Sequence, residues 1–244
     1  MKYSLILCVL LLGICAGFAR AAGESALDAP SKVDPALPDV LLLGDSISLG
    51  YCPVVRERLA GKANVYCING TEAATIRTKG GLRLDTRAAM ERLDEWLGHA
   101  KWAVIHFNWG LHDIKLSGAT GHQVPVEEYE RNLRQLVQRL KNTHASLIWA
   151  TTTPVPPGAD HGATARKAGD ETTYNIAARR VMDENGIPVD DLNALVLPRL
   201  RELQRPANVH FTVAGSEELG RQVAASVVTK LKADVSLKNG KNVN

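Results

Sequence analysis

The sequence predicts an α/β fold, a three-layer α/β/α sandwich built on a five-stranded parallel sheet. Three observations predict it. Five short apolar runs bounded by breakers recur along the chain, and the first, Val40-Leu41-Leu42-Leu43, is apolar throughout, as a strand buried on both faces requires. These runs alternate with stretches whose apolar residues recur at helical spacing, the pattern of strand–helix–strand crossovers. A chain of 244 residues, 45% hydrophobic and 23% charged, also suits one globular domain with a sizeable core.

Residues 1–22 read as a signal peptide outside that domain. Lys2 is a short basic start, Leu5 to Phe18 an apolar run, and Ala19-Arg20-Ala21 a small-residue cleavage site before Ala22. The run is too short for a membrane span, so no stable membrane insertion is expected after cleavage, and Ile14 before Cys15 argues against a lipoprotein. The expected destination is export, periplasmic or extracellular. Removing residues 1–22 takes Lys2 and Arg20 from 29 basic residues and none of the 26 acidic ones, leaving a net charge of +1. That balance gives no ground for nucleic acid or an anionic membrane surface as partner.

Residues 23–37, small, polar and proline-rich, read as a linker, residues 38–232 as the domain, and 233–244 as a frayed polar tail. Strands are predicted at Asp39–Gly44, Ala63–Ile68, Trp102–Phe107, Ser146–Thr151 and Ile187–Asp191. Four helical stripes lie among and after them: Ala89, Leu93, Trp96 and Leu97; Tyr129, Leu133, Leu136, Val137 and Leu140; Tyr174, Ala177, Ala178, Val181 and Met182, with Asp170 as cap; and Leu219, Val223, Val227 and Leu231. Residues 155–169 form a long loop after the fourth strand, placed to act as a lid or specificity loop. Cys52 and Cys67 remain after the signal peptide; they fall at one edge of the sheet, either as a disulfide or as two buried thiols.

The chemistry gathers at three loops. Gly44-Asp45-Ser46 leaves the first strand in a sharp turn before a helix, where a serine hydroxyl is exposed and backbone N–H groups can hold an oxyanion. Asn108-Trp109-Gly110-Leu111-His112-Asp113 follows the third strand, and Asn208-Val209-His210-Phe211-Thr212 precedes the last helix. These blocks and their spacing resemble the SGNH (GDSL-type) hydrolases, a family of serine esterases and lipases, over residues from about Asp39 to Leu231. The resemblance implies a flavodoxin-like three-layer fold and ester hydrolysis with no metal or other cofactor. It implies Ser46 as nucleophile and His210 as general base, since a serine hydroxyl attacks well only when an imidazole can take its proton. An acyl-enzyme follows, with the oxyanion held by Ser46, Gly81 and His112. The substrate would be a small-molecule or carbohydrate O-acyl ester, an acetyl ester among them.

Three positions depart from the family pattern. His112 stands where an asparagine supplies an oxyanion donor; an imidazole N–H can donate likewise, with a pH dependence added. Ala207 stands where an aspartate, three residues before the histidine, orients it, leaving Asn208, a backbone carbonyl, Asp190 or Asp191 as candidates. The second-block glycine is either Gly81 or, if Asp85-Thr86 marks the register, a position held by Leu84. These departures keep open a catalytically weak or inactive ligand- or carbohydrate-binding protein of the same fold. A metal-dependent hydrolase using His106, His112, Asp113 and His210 lacks any His-x-x-x-His or Cys-x-x-Cys spacing. Asp45 and Asp113 are expected to cap turns, His106 to sit at the core edge, and His99, His122, His144 and His161 to be solvated. Trp109 is expected in the core rather than against a sugar.

Overall fold

The computed structural model describes residues 26–68, 84–98, 100–117, 121–162 and 164–241. Its strands are β1 (Leu27–Asp28), β2 (Asp39–Leu43), β3 (Asn64–Ile68), β4 (Trp102–Phe107), the short hairpin β5 (Leu116–Ser117) and β6 (Gly121–His122), β7 (Ser146–Ala150) and β8 (Val189–Asp190). The main sheet runs β1-β3-β2-β4-β7-β8. Five of its strands pair in parallel, each within a run the apolar pattern predicts.

The sixth strand comes from the segment expected to be a linker. Leu27 and Asp28 pair antiparallel with Ile68 and Cys67. Without them the outer edge of β3 would present unpaired N–H and C=O groups. Arg56 fixes the strand, donating to Asp28 Oδ2 at 2.8 Å and to Val65 O at 3.0 Å. β8 is shorter than predicted because Pro188 offers no N–H, only the carbonyl that accepts from Trp149 N–H at 3.0 Å.

The helices are α1 (Ser46–Arg58), α2 (Thr86–Leu97), α3 (Val126–Lys141), α4 (Asp170–Asn185), α5 (Leu192–Val196), α6 (Leu200–Leu203) and α7 (Val213–Lys241). Their predicted stripes face the core: all five residues named on α3, and all five on α4, are buried. Helices α1 and α7 pack together, and α3 packs on both α2 and α4. The α4 cap is Gly169, at φ 90°, rather than Asp170, whose carboxylate instead meets His122 Nε2 at 2.7 Å. Helix α7 runs on through most of the expected tail to Lys241, and Asp234 there accepts from Ser146 Oγ at 2.7 Å. No helix among the described residues is long and apolar enough to cross a membrane.

Cys52 on α1 and Cys67 on β3 form a disulfide closing a 15-residue separation. In the chain-entropy model a loop of that size stabilises the fold by about 3 kcal/mol. The chain leaves β2 for β3 on one side and returns to β4 on the other. The carboxyl ends of β2 and β4 therefore flank the switch point of the sheet, where open α/β folds place their ligands.

Candidate active site

Ser46 is the first residue of α1, directly beyond the carboxyl end of β2. Gly44 is needed at the exit, since a Cβ there would lie 2.8 Å from Ser48 Cβ. Asp45 caps the helix, its carboxylate accepting from Ile47 N–H at 2.9 Å, and Ser48 Oγ donates to Asp45 O at 2.7 Å. The sequence expectation of a capping Asp45 thus holds. Burial pushes the Asp45 carboxyl up, while the Ile47 N–H and the nearby Arg166, His210 and Lys115 work against that shift.

The half-buried Ser46 hydroxyl lies 2.8 Å from His210 Nε2. The His210 loop is pinned from several sides. Gln204 bridges Phe211 in an isolated antiparallel pair, and its amide donates to Pro154 O at 2.8 Å and to Val209 O at 3.0 Å. Thr212 N–H donates to Leu203 O at 2.8 Å. Asn208 Oδ1 accepts from the His210 backbone N–H at 2.9 Å and lies 2.7 Å from His210 Nδ1. The backbone donor fixes which end of the amide faces the ring, so Nδ1 carries a proton and Nε2 is left to accept from the serine.

Of the candidates to orient His210, Asn208 is therefore the one in place. Ala207, three residues before His210, sits at φ 52°, and the acceptor comes one residue later than in the family pattern. Asp190 is buried elsewhere, bonded to His106 Nε2 at 3.1 Å and to Gln222 at 2.7 Å. Asp191 caps α5, accepting from Ala194 N–H at 3.1 Å. Burial lowers the His210 pKa, with Asp45 opposing and Arg166 and Arg205 reinforcing, which favours the free base near neutral pH.

The third block follows β4. Gly110 has φ 151°, and a Cβ there would overlap Thr152 Oγ1, so both backbone and space demand glycine. One helical turn ensues, closed by Ile114 N–H to Gly110 O at 3.0 Å, which brings residues three apart onto one side. His112, only 3% exposed, lies on it with Nδ1 2.9 Å from Lys115 Nζ. Leu84 N–H also points to His112 Nδ1, at a long 3.4 Å, so that N–H faces the ring. Gly81 lies outside the described residues. Asp113 holds the start of α2, accepting from Thr86 N–H at 2.9 Å and Thr86 Oγ1 at 2.6 Å. Its other oxygen is buried with no hydrogen-bond partner among the described residues, and burial lifts its pKa to about 8.

Sequence reading passed over two cations beside this block. Arg166, from the loop 155–169, donates from Nε to Leu111 O at 2.5 Å and from Nη1 to Thr164 O at 2.9 Å. Only 4% exposed, it is pushed down to about 10 by burial and straps the loop onto the block. Lys115 is likewise lowered to about 8 by burial, with Arg166 adding to the shift and Asp45, Asp85 and Asp113 opposing it. The spacing of Lys115 three residues after His112 was the available signal; nothing in the sequence marked Arg166.

A family model described as the GDSL-like lipase/acylhydrolase family matches residues 42–217, well over half of the chain. The chain belongs to that family. At family level the acylhydrolase is therefore an enzyme acting on acyl esters. Its fold is similar to that of an acetyl xylan esterase, with 20% identity and a TM-score of 0.58 over 78% of this chain and 99% of that one. It is similar also to a lipase/acylhydrolase from Enterococcus faecalis, with 19% identity and a TM-score of 0.62 over 78% and 95% of the two chains. A catalytic mutant of an acetylxylan esterase from Geobacillus stearothermophilus has 20% identity and a TM-score of 0.59 over 80% and 94%. No curated protein matches the chain.

The remaining histidines of the acylhydrolase divide by environment. His106 is fully buried against Asp190 and T-stacked on Tyr51, deeper than the core edge where it was expected. His122 is paired with Asp170 rather than simply solvated, whereas His161 is exposed. Trp109 is 1% exposed, a core residue as expected. Among the described residues no three His, Cys, Asp or Glu side chains form a group that could hold a metal ion.

Proposed function

We propose that this acylhydrolase cleaves O-acyl esters with Ser46 as nucleophile and His210 as general base. One observation carries the reading: Ser46 Oγ lies 2.8 Å from a His210 nitrogen that Asn208 keeps unprotonated. His210 Nε2 takes the hydroxyl proton as Ser46 Oγ attacks the ester carbonyl. It returns that proton to the leaving alcohol as the tetrahedral intermediate collapses. Water, deprotonated by the same nitrogen, then releases the acid from the acyl-enzyme. The oxyanion is held by the Ser46 N–H at the start of α1 and by His112 Nε2–H; Gly81, the further donor the family resemblance implies, lies outside the described residues.

Substrate and location belong to the same proposal. The solved acetyl xylan esterases of similar fold make an acetyl ester on carbohydrate the first substrate to try. Export is supported by the signal-like residues 1–22 and by the Cys52–Cys67 disulfide, a bond at home in oxidising compartments. The binding-protein alternative rested on Ala207 and on the second-block glycine; Asn208 supplies the orienting oxygen that Ala207 lacks, and Gly81 lies outside the described residues.

Hydrolysis of p-nitrophenyl acetate by residues 23–244 tests the proposal. Ser46→Ala and His210→Ala are each expected to lower kcat on the order of 10⁴-fold or more with folding intact. An inactive parent, or activity indifferent to both substitutions, turns the reading to a binding protein.

A further inference from the structure

We propose that Lys115 is a positioning residue that locks His112 as a hydrogen-bond donor, its ammonium at 2.9 Å holding Nδ1 unprotonated so that the ring proton stays on Nε2. The proposal rests on the reading of His112 as an oxyanion donor and adds what keeps it one.

An ammonium only donates, and so does a backbone N–H. Both Lys115 Nζ and Leu84 N–H are directed at the same nitrogen of His112. That nitrogen must accept, and in a neutral imidazole the proton then resides on the opposite nitrogen. The other tautomer would set an N–H against two donors at a ring that is 3% exposed. The doubly protonated ring would meet the same two donors and carry its charge beside an ammonium.

The consequence reverses the expectation of an added pH dependence. A histidine in the asparagine position ordinarily exchanges its donor as it titrates, but here Nε2–H persists for as long as Lys115 keeps its charge. The ammonium also draws electron density through the ring, which strengthens Nε2–H as a donor to a developing oxyanion. Such a lock fails on the alkaline side, where Lys115 loses its charge. The groups facing it are Arg166, whose charge hastens that loss, and Asp45, Asp85 and Asp113, which delay it. Arginine in its place would keep both the donor and the charge.

The test is ¹⁵N–¹H NMR of histidine-labelled protein, with the His112 signals assigned by their absence in His112→Asn, alongside kcat and KM on p-nitrophenyl acetate. Expected is a single Nε2–H tautomer for His112 between about pH 6 and about pH 7, on either side of the ordinary histidine pKa and below the loss of the Lys115 charge. Lys115→Met, which keeps the apolar stem, should give mixed tautomers and lower kcat by about tenfold or more with KM little changed. Lys115→Arg should restore the Nε2–H tautomer and the rate, and hold the rate at alkaline pH where the parent declines. An Nδ1–H tautomer in the parent, or Lys115→Met with tautomer and kcat unchanged, overturns the proposal. Full kcat in His112→Ala overturns the oxyanion reading instead, while the tautomer measured in Ser46→Ala protein still decides the lock.

Discussion

His210 and His112 are the same side chain on two loops at the same end of the sheet, and each has a close partner at Nδ1. The partners are opposite in kind. Asn208 presents an oxygen to His210 Nδ1 at 2.7 Å, whereas Lys115 presents an ammonium to His112 Nδ1 at 2.9 Å. An acceptor at Nδ1 leaves Nε2 bare, and the ring becomes a base. A donor at Nδ1 leaves Nε2 protonated, and the ring becomes a hydrogen-bond donor. The role of each histidine is written in its neighbour.

After Ser46 and His210 themselves, the largest effect should come from breaking the donor. His112→Ala is expected to lower kcat by about 100-fold with KM little changed, the signature of a contact made in the transition state. His112→Asn should recover most of the rate, because an amide donates without a tautomer to fix. Steady-state kinetics on p-nitrophenyl acetate read both, and a rise in KM with kcat intact would contradict the assignment.

Removing the acceptor should cost less. Asn208→Leu is expected to lower kcat by about tenfold, well short of the ~10⁴-fold seen when a buried carboxylate orienter loses its charge. A neutral amide orients His210 but contributes little to stabilising the imidazolium.

The acid side of the pH profile sharpens the contrast. As pH falls, His210 Nε2 takes a proton and can no longer accept one from Ser46, so kcat/KM declines. Burial lowers the His210 pKa from its ordinary 6.5, so the midpoint should lie below that value. Asn208→Asp should move it upward, since a carboxylate at Nδ1 favours the charged ring. A midpoint that stays put in that variant would separate Asn208 from the base.

The smallest kinetic effect is expected at the disulfide. Replacing Cys52 and Cys67 by serine should cost about 3 kcal/mol of stability, read by denaturant unfolding, with kcat unchanged.

How far the sequence carried these conclusions depends on whether a feature is periodic or paired. The strands β2, β4 and β7 and the stripes of α3 and α4 were legible because burial on a regular element imprints a period on the residues. Ser46 and His210 were legible because a glycine turn and a short block announce them. Strand β1 was not, for two residues have no period, and Leu27–Asp28 is a strand only because β3 offers an edge. Helix α7 beyond Lys232 was missed because a polar surface helix and a polar tail have similar composition. Arg166 was hidden because its neighbours are set by tertiary packing: it reaches Leu111 across 55 residues, whereas Lys115 stands only three residues after His112 and was passed over. Asn208 was one of four candidates until its oxygen was found on two N–H groups of a single residue.

The base and its orienter stand two residues apart on one turn, and that closeness has a consequence for inheritance and for engineering. In a triad assembled from distant strands, a shift between loops can undo the tautomer and disarm the base. Here the turn travels as a cartridge: if the loop around Asn208 and His210 shifts as a unit, the contact at risk is the one between Ser46 and His210. The cartridge could be moved onto another scaffold with its proton already on the right nitrogen.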